Sequence, residues 1–161
     1  MKDKLRFRQP GKKDKEQVMK LVRILYEKDD TSQIEIWNKG YSNYLPWTYV
    51  AEINGQIIGY VCLGGTVESL SIGDLCVLPK FRNKGIASKL IELSIARAEK
   101  ANKEYIEVNA HRWNETSQKL YKKFGFEIIG ETERGLFRLR KQLQGGPHSK
   151  KSAIGLKIEN Y

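Results

Sequence analysis

The segment Arg82-Asn83-Lys84-Gly85-Ile86-Ala87-Ser88 follows an apolar run that Pro79 ends, and it leads into a stretch of helical periodicity over 85–100. The first N–H groups of a helix have no internal acceptor, and the helix dipole adds partial positive charge at that end. Such a junction is a ready site for an anion, phosphate above all. Gly85 and the small Ala87 would let an oxyanion approach the main chain. Arg82 and Lys84 would place positive charge at its mouth. An ordinary strand-to-helix turn is also compatible with these residues.

A second segment, Asn114-Glu115-Thr116-Ser117-Gln118-Lys119-Leu120-Tyr121-Lys122-Lys123-Phe124-Gly125-Phe126, lies about 30 residues downstream. Asn114 suits a helix N-cap, Gly125 suits the left-handed position that closes a helix, and Leu120, Phe124 and Phe126 read as packing residues. Packing leaves Tyr121 unexplained. It follows Asn114 by seven residues, so two helical turns bring both to one face.

The elements that would position these groups are legible in the periodicity. A short strand is expected over 4–8 and a helix over 14–27, with Val18, Leu21, Val22 and Leu25 on its buried face. A second short helix is expected around Ile34, Ile36 and Trp37, within an aromatic stretch containing Tyr41, Tyr44, Trp47 and Tyr49. Asn54-Gly55 between apolar runs predicts a hairpin of 48–53 with 56–63, because both turn residues need positive φ. A third strand is expected over 67–78, with Gly73 marking a bulge or a close backbone approach. Then follow a helix over 85–100, a strand over 105–110, the helix capped by Asn114, and a last pair of strands at 126–129 and 136–139. The order β-α-(α)-β-β-β-α-β-α-β-β predicts an α/β (α+β) fold: a mixed, mostly antiparallel central sheet flanked by helices.

Composition narrows the class. With 161 residues, 40% hydrophobic and 30% charged, the chain fits one globular domain over 1–143, and 144–161 reads as a basic, mobile tail. The charged start is not a signal peptide, and no apolar run spans a membrane, so the expected location is cytoplasmic. Cys62 and Cys76 lie in apolar runs and read as buried thiols in a reducing compartment. Two cysteines and two distant histidines, His111 and His148, give no metal-ligand spacing. The net charge of +10 favours anionic partners, but the lysines are spread along the chain and no nucleic-acid recognition signature is present.

Taken together, in this order and spacing, the two segments resemble the GCN5-related N-acetyltransferase superfamily, over roughly 48–142. Arg82-x-x-Gly85-x-Ala87 matches its (Gln/Arg)-x-x-Gly-x-(Gly/Ala) signature, and the run from Asn114 through Leu120-Tyr121 to Gly125-Phe126 matches its second. Residues 113–115 and 136–139 look locally like the diamine acetyltransferase branch. The resemblance implies acetyl-CoA as co-substrate and no metal. It implies that Leu75, Cys76 and Val77 pair with the pantetheine arm as an added strand would. By the same resemblance Arg82, Asn83, Lys84, Gly85, Ile86, Ala87 and Ser88 hold the pyrophosphate, Asn114 hydrogen-bonds the pantetheine, and Tyr121 protonates the departing thiolate. It further implies direct transfer, without an acetyl-enzyme.

The chemistry agrees. An alkyl ammonium of pKa about 10.4 costs about 4.6 kcal/mol to deprotonate at pH 7. A carboxylate or an ordered water can offset part of that cost. Many members of the superfamily carry a glutamate on the strand that here reads Ser69-Leu70-Ser71-Ile72-Gly73-Asp74-Leu75, where it falls on Gly73 or nearer Ser71. That leaves Asp74, Glu68 and, on the next strand, Glu107 as candidate bases. Cys76, in an apolar strand, is expected to be inert rather than nucleophilic. The acceptor is expected to be a small-molecule amine or a protein amino group, and the resemblance implies that 29–47 and the last hairpin select it. The aromatics of 29–47 could wall a cation or form a small core. A charge of +10 sits awkwardly with a polycationic acceptor. A homodimer is compatible with this reading. The alternative is an acyl-CoA-binding sensor with weak catalysis.

Overall fold

A computed structural model describes residues 4–143, so the expectation of a mobile tail over 144–161 falls outside the described residues. The elements follow the expected order: β1 (Leu5–Arg8), α1 (Lys15–Tyr26), α2 (Ser32–Tyr44), β2 (Thr48–Ile53), β3 (Gln56–Gly65), β4 (Ser69–Val77), α3 (Ile86–Lys100), β5 (Tyr105–His111), α4 (Glu115–Lys123), β6 (Glu127–Glu131) and β7 (Leu136–Gln142). Seven strands form one sheet in the order β1-β2-β3-β4-β5-β7-β6. Strands β4 and β5 run parallel and are joined by α3, the crossover that parallel strands require. The described residues divide into two compact units, 4–63 with 74–91, and 64–73 with 92–143.

In the first unit, β1, β2 and β3 pair antiparallel, from Leu5↔Ile53 to Arg8↔Val50 and from Thr48↔Cys62 to Ile53↔Gln56. Asn54 (φ 50°) and Gly55 (φ 84°) both take the left-handed conformation that the tight hairpin needs. Of the α1 face predicted from spacing, Val18, Leu21 and Val22 are fully enclosed and Leu25, near the end of the helix, is half-buried. The helix expected around Trp37 runs for 13 residues, longer than its composition suggests. Gly40 keeps room inside it, since a Cβ there would meet the Tyr44 ring at 3.2 Å. Trp37 and Tyr41 are buried, and the Trp37 ring contacts Tyr44 at 4.7 Å and Tyr60 edge-on at 5.6 Å. Trp37 and Tyr41 therefore sit in a packed core, while Trp47 of the same stretch is 41% exposed.

An ion-pair network ties β1 to the start of α1. The Arg8 guanidinium forks onto both oxygens of buried Asp14, at 2.9 and 3.1 Å, and its Nε donates to Glu52 at 2.7 Å. The Gly11 N–H donates to Asp14 at 2.7 Å, and the Tyr41 hydroxyl donates to the Gly11 carbonyl.

In the second unit, the first part of β4 runs parallel to β5, from Ser69↔Tyr105 to Ile72↔Val108. This pairing ends one residue before Gly73. β7 pairs antiparallel with β5 along its whole length, from Tyr105↔Gln142 to His111↔Leu136, and so extends beyond the expected end at Leu139. Ile106, Phe126 and Leu139 are the large enclosed side chains of this unit. Strand β4 starts at Ser69, later than expected, because Thr66 and Ser69 close a turn in which Thr66 N–H donates to the Ser69 carbonyl; Val67 stands 75% exposed on it.

Candidate functional site

The anion-site segment of the first unit has the local geometry its residue types call for. After β4 a short 3-10 turn, Pro79–Phe81, leads into Asn83 (φ 62°) and Gly85 (φ 83°), both left-handed. Successive main-chain N–H groups in such a turn make an anion-binding concavity. The Lys89 N–H makes the bond back to Gly85 O at 3.1 Å, so the N–H groups of Ile86, Ala87 and Ser88 precede the first intrahelical bond. Arg82 also braces the strand that precedes this turn. Its Nε donates to the Val77 carbonyl at 2.8 Å and closes the end of β4. The strand end is also fixed by close packing, since a Cβ on Gly59 would meet the Cys76 carbonyl at 3.2 Å and Val77 at 3.3 Å. No atom lies within 4 Å of a Cβ built on Gly85, so glycine is required there by φ alone. Gly85→Ala is expected to cost about 1–2 kcal/mol of stability, read as a shift of the urea midpoint.

Burial pushes the Cys76 thiol up to about 11, and the Cys62 thiol to about 11 as well. Both are free and buried, which agrees with the expectation of inert thiols.

Asp74 is enclosed in the first unit. It accepts hydrogen bonds from Tyr26 Oη, from Trp37 Nε1 at 2.7 Å and from Tyr60 Oη at 2.7 Å. Burial raises its carboxyl above the ordinary range, against the pull of the three donors. Tyr26 and Tyr60 were not singled out in the sequence. For Tyr60 the available signal was a tyrosine inside an otherwise apolar strand, because a buried phenol needs a polar partner.

In the second unit, Asn114 caps α4: its Oδ1 accepts the Ser117 N–H at 3.1 Å. The Tyr121 ring is buried and lies edge-on to Phe126 at 5.6 Å. Its hydroxyl has no hydrogen-bond partner among the described residues, and no fully enclosed side-chain polar atom there lacks one, so the hydroxyl is not fully enclosed. Burial holds this phenol well above its ordinary pKa, so it stays protonated at neutral pH.

Glu107 lies opposite Arg140 in the β5–β7 register and is held by two guanidiniums, with Arg140 Nε at 2.7 Å and Arg138 Nη2 at 3.4 Å from Oε2. The Arg140 guanidinium also stacks over Tyr105 at 3.7 Å. Glu68 is exposed in the turn before β4, not on the strand where it was expected. Among the described residues no group of three or more His, Cys, Asp or Glu could hold a metal ion, and no helix is long and apolar enough to cross a membrane.

Against known proteins, residues 16–126 match the acetyltransferase (GNAT) family, a stretch that runs through both units. The chain belongs to that family. An uncharacterized N-acetyltransferase of Archaeoglobus fulgidus is 31% identical over 94 residues, covering 49% of this chain and 64% of the relative. The 5-NmdU N-acetyltransferase of Pseudomonas phage PaMx11 is 27% identical over 114 residues, 66% of this chain and 75% of that protein. Three of the curated relatives are matched over only 20%, 64% and 45% of their own lengths. In fold, the chain superposes on the PaiA N-acetyltransferase of Thermoplasma acidophilum, solved in complex with coenzyme A. The TM-score is 0.72 at 19% identity, over 86% of this chain and 99% of that one.

Proposed function

We propose that the chain is an acetyl-CoA-dependent N-acetyltransferase that moves the acetyl group directly onto a primary amine of a small molecule or a protein. The observation that carries this reading is the β4–α3 junction, where two left-handed residues and the N–H groups of Ile86, Ala87 and Ser88 suit a pyrophosphate. In this reading Asn83 to Ser88 hold the pyrophosphate. Leu75, Cys76 and Val77, beyond the end of the β4–β5 pairing at Ile72, offer main-chain groups to the pantetheine arm. The Asn114 cap uses only its side-chain oxygen, and its amide nitrogen is assigned to the pantetheine. Tyr121 gives its proton to the leaving thiolate. Residues 1–143 are taken as one acetyltransferase domain, since one family match runs through both units. The free buried thiols suit a reducing compartment, and the cytoplasm is the assigned location.

One observation favours the sensor reading: the carboxylates expected as bases are engaged, Glu107 by two arginines and Asp74 by three donors. Thiol release from acetyl-CoA over an amine panel separates the two. The panel includes peptides, polyamines and 5-NmdU, the compound in the phage relative's name. Turnover on one class of amine is the expected result. Calorimetric binding of CoA with no turnover anywhere would leave the sensor.

A further inference from the structure

We propose that Tyr26 is the residue that meets the acceptor nitrogen, and that Asp74 behind it receives the proton Tyr26 passes on. This rests on the N-acetyltransferase reading and supplies the base that reading lacks. Asp74 is only 7% exposed, so an acceptor cannot use it directly. Of its three donors, Trp37 is 4% exposed and Tyr60 fully enclosed, whereas Tyr26, the last residue of α1, is half-buried. Trp37 offers an N–H with no lone pair to take a proton. A phenol both donates and accepts. Tyr26 is therefore the one donor that can pass a proton from solvent or substrate to Oδ1, while Oδ2 is held in place by Trp37 and Tyr60.

The dyad also stands at the right end of the proposed donor track. The pyrophosphate lies at Asn83 to Ser88, and the pantetheine runs back along Val77, Cys76 and Leu75. Its thioester end is then directed toward the next residue of β4, which is Asp74.

The step balances as follows. One ammonium N–H proton moves to a Tyr26 Oη lone pair, and the phenolic proton of Tyr26 moves to Asp74 Oδ1. Tyr26 stays neutral, Asp74 becomes a carboxylic acid, and the freed nitrogen pair attacks the thioester carbonyl. A second nitrogen proton, released when the tetrahedral intermediate collapses, replaces through solvent the one that Tyr121 gave the thiolate. Asp74 returns its proton to water.

The surroundings favour this traffic. The groups around the dyad are Trp37 from α2, Tyr60 and Cys62 from β3, Cys76 two positions along β4, and Asp30 beyond α1. Among the described residues no lysine or arginine forms an ion pair with Asp74 to hold it ionised. Burial raises the Asp74 carboxyl and so makes it a stronger base, while burial and then the Asp74 charge keep Tyr26 a phenol.

Tyr26→Phe keeps the ring and removes the relay. With an alkyl-ammonium acceptor at pH 7, kcat/KM is expected to fall about a hundredfold. The deficit should shrink about tenfold per pH unit toward the pKa of the acceptor, as solvent supplies free base. An acceptor of low pKa, already neutral at pH 7, should lose less than about threefold by the same ionisation argument. A deficit that is the same for both acceptors, or flat with pH, would mean a structural role and overturn the proposal. If the variant does not fold, the native protein decides: the acid limb of kcat/KM should stay in place when acceptors of different pKa are exchanged, and a limb that tracks the acceptor overturns the relay. A native protein that binds CoA but acetylates no amine removes the enzyme reading and this inference together. Native turnover with an unaffected Tyr26→Phe removes the inference alone.

Discussion

Tyr121→Phe is expected to lower kcat by about 10²–10⁴-fold, the range for loss of a positioned acid, with CoA affinity and stability nearly unchanged. The structure separates the ring from the hydroxyl. The ring is enclosed and packs edge-on to Phe126, and phenylalanine keeps both features. The hydroxyl has no partner in the protein among the described residues, so its removal strands no buried group. A stability change within about 0.5 kcal/mol is expected from such a substitution. A large loss of turnover with an unmoved melting temperature would assign the hydroxyl to chemistry. Because burial raises this phenol, the acid form persists through neutral pH, and kcat should not decline on its account below about pH 10. Steady-state kinetics beside thermal melts check both points, and a variant that turns over like the native protein would remove Tyr121 from the mechanism.

Asp14→Ala should destabilise the fold by about 3 kcal/mol, the lower end for breaking a buried ion pair. The lower end applies because the Arg8 side chain is 25% exposed, and water can replace part of what Asp14 supplied. The loss is still large, since Asp14 accepts from both prongs of Arg8 and from the Gly11 N–H. The Arg8 guanidinium, ahead of the opposing effect of burial, holds the Asp14 carboxyl below its ordinary value. A depressed folded pKa contributes stability that is complete above the unfolded value of about 3.9 and is lost as pH falls through the folded value. Asp74 has the opposite sign. Its raised carboxyl favours the protonated folded state, so its contribution declines as pH rises from the unfolded value through the folded one. Urea titrations from pH 7 to pH 3 should therefore show the gap between native protein and Asp14→Ala narrowing at the acid end. A gap that stays constant would mean the carboxylate charge is not what holds β1 to α1.

The two proposed roles divide along what a sequence can carry. The Asn54-Gly55 hairpin, the Asn114 cap, the turn at Gly85 and the close of α4 at Gly125 (φ 96°) were legible because each depends on dihedral angles and hydrogen bonds spanning a few residues. The order of elements followed from hydrophobic period, and the family from two local signatures matched at a fixed separation. The surroundings of the candidate bases were not legible. Tyr26, Trp37 and Tyr60 reach Asp74 from 48, 37 and 14 residues away, and only the packing of α1, α2 and β3 against one strand brings them together. The partners of Glu107 were not legible either, because they depend on the register that sets Arg140 opposite it, fixed across 33 residues of chain. The junction at Arg82–Ser88 was thus specified by local backbone preference. The path by which a proton could leave the acceptor was decided by long-range packing, because the availability of a carboxylate depends on what encloses it and not on its neighbours in the chain.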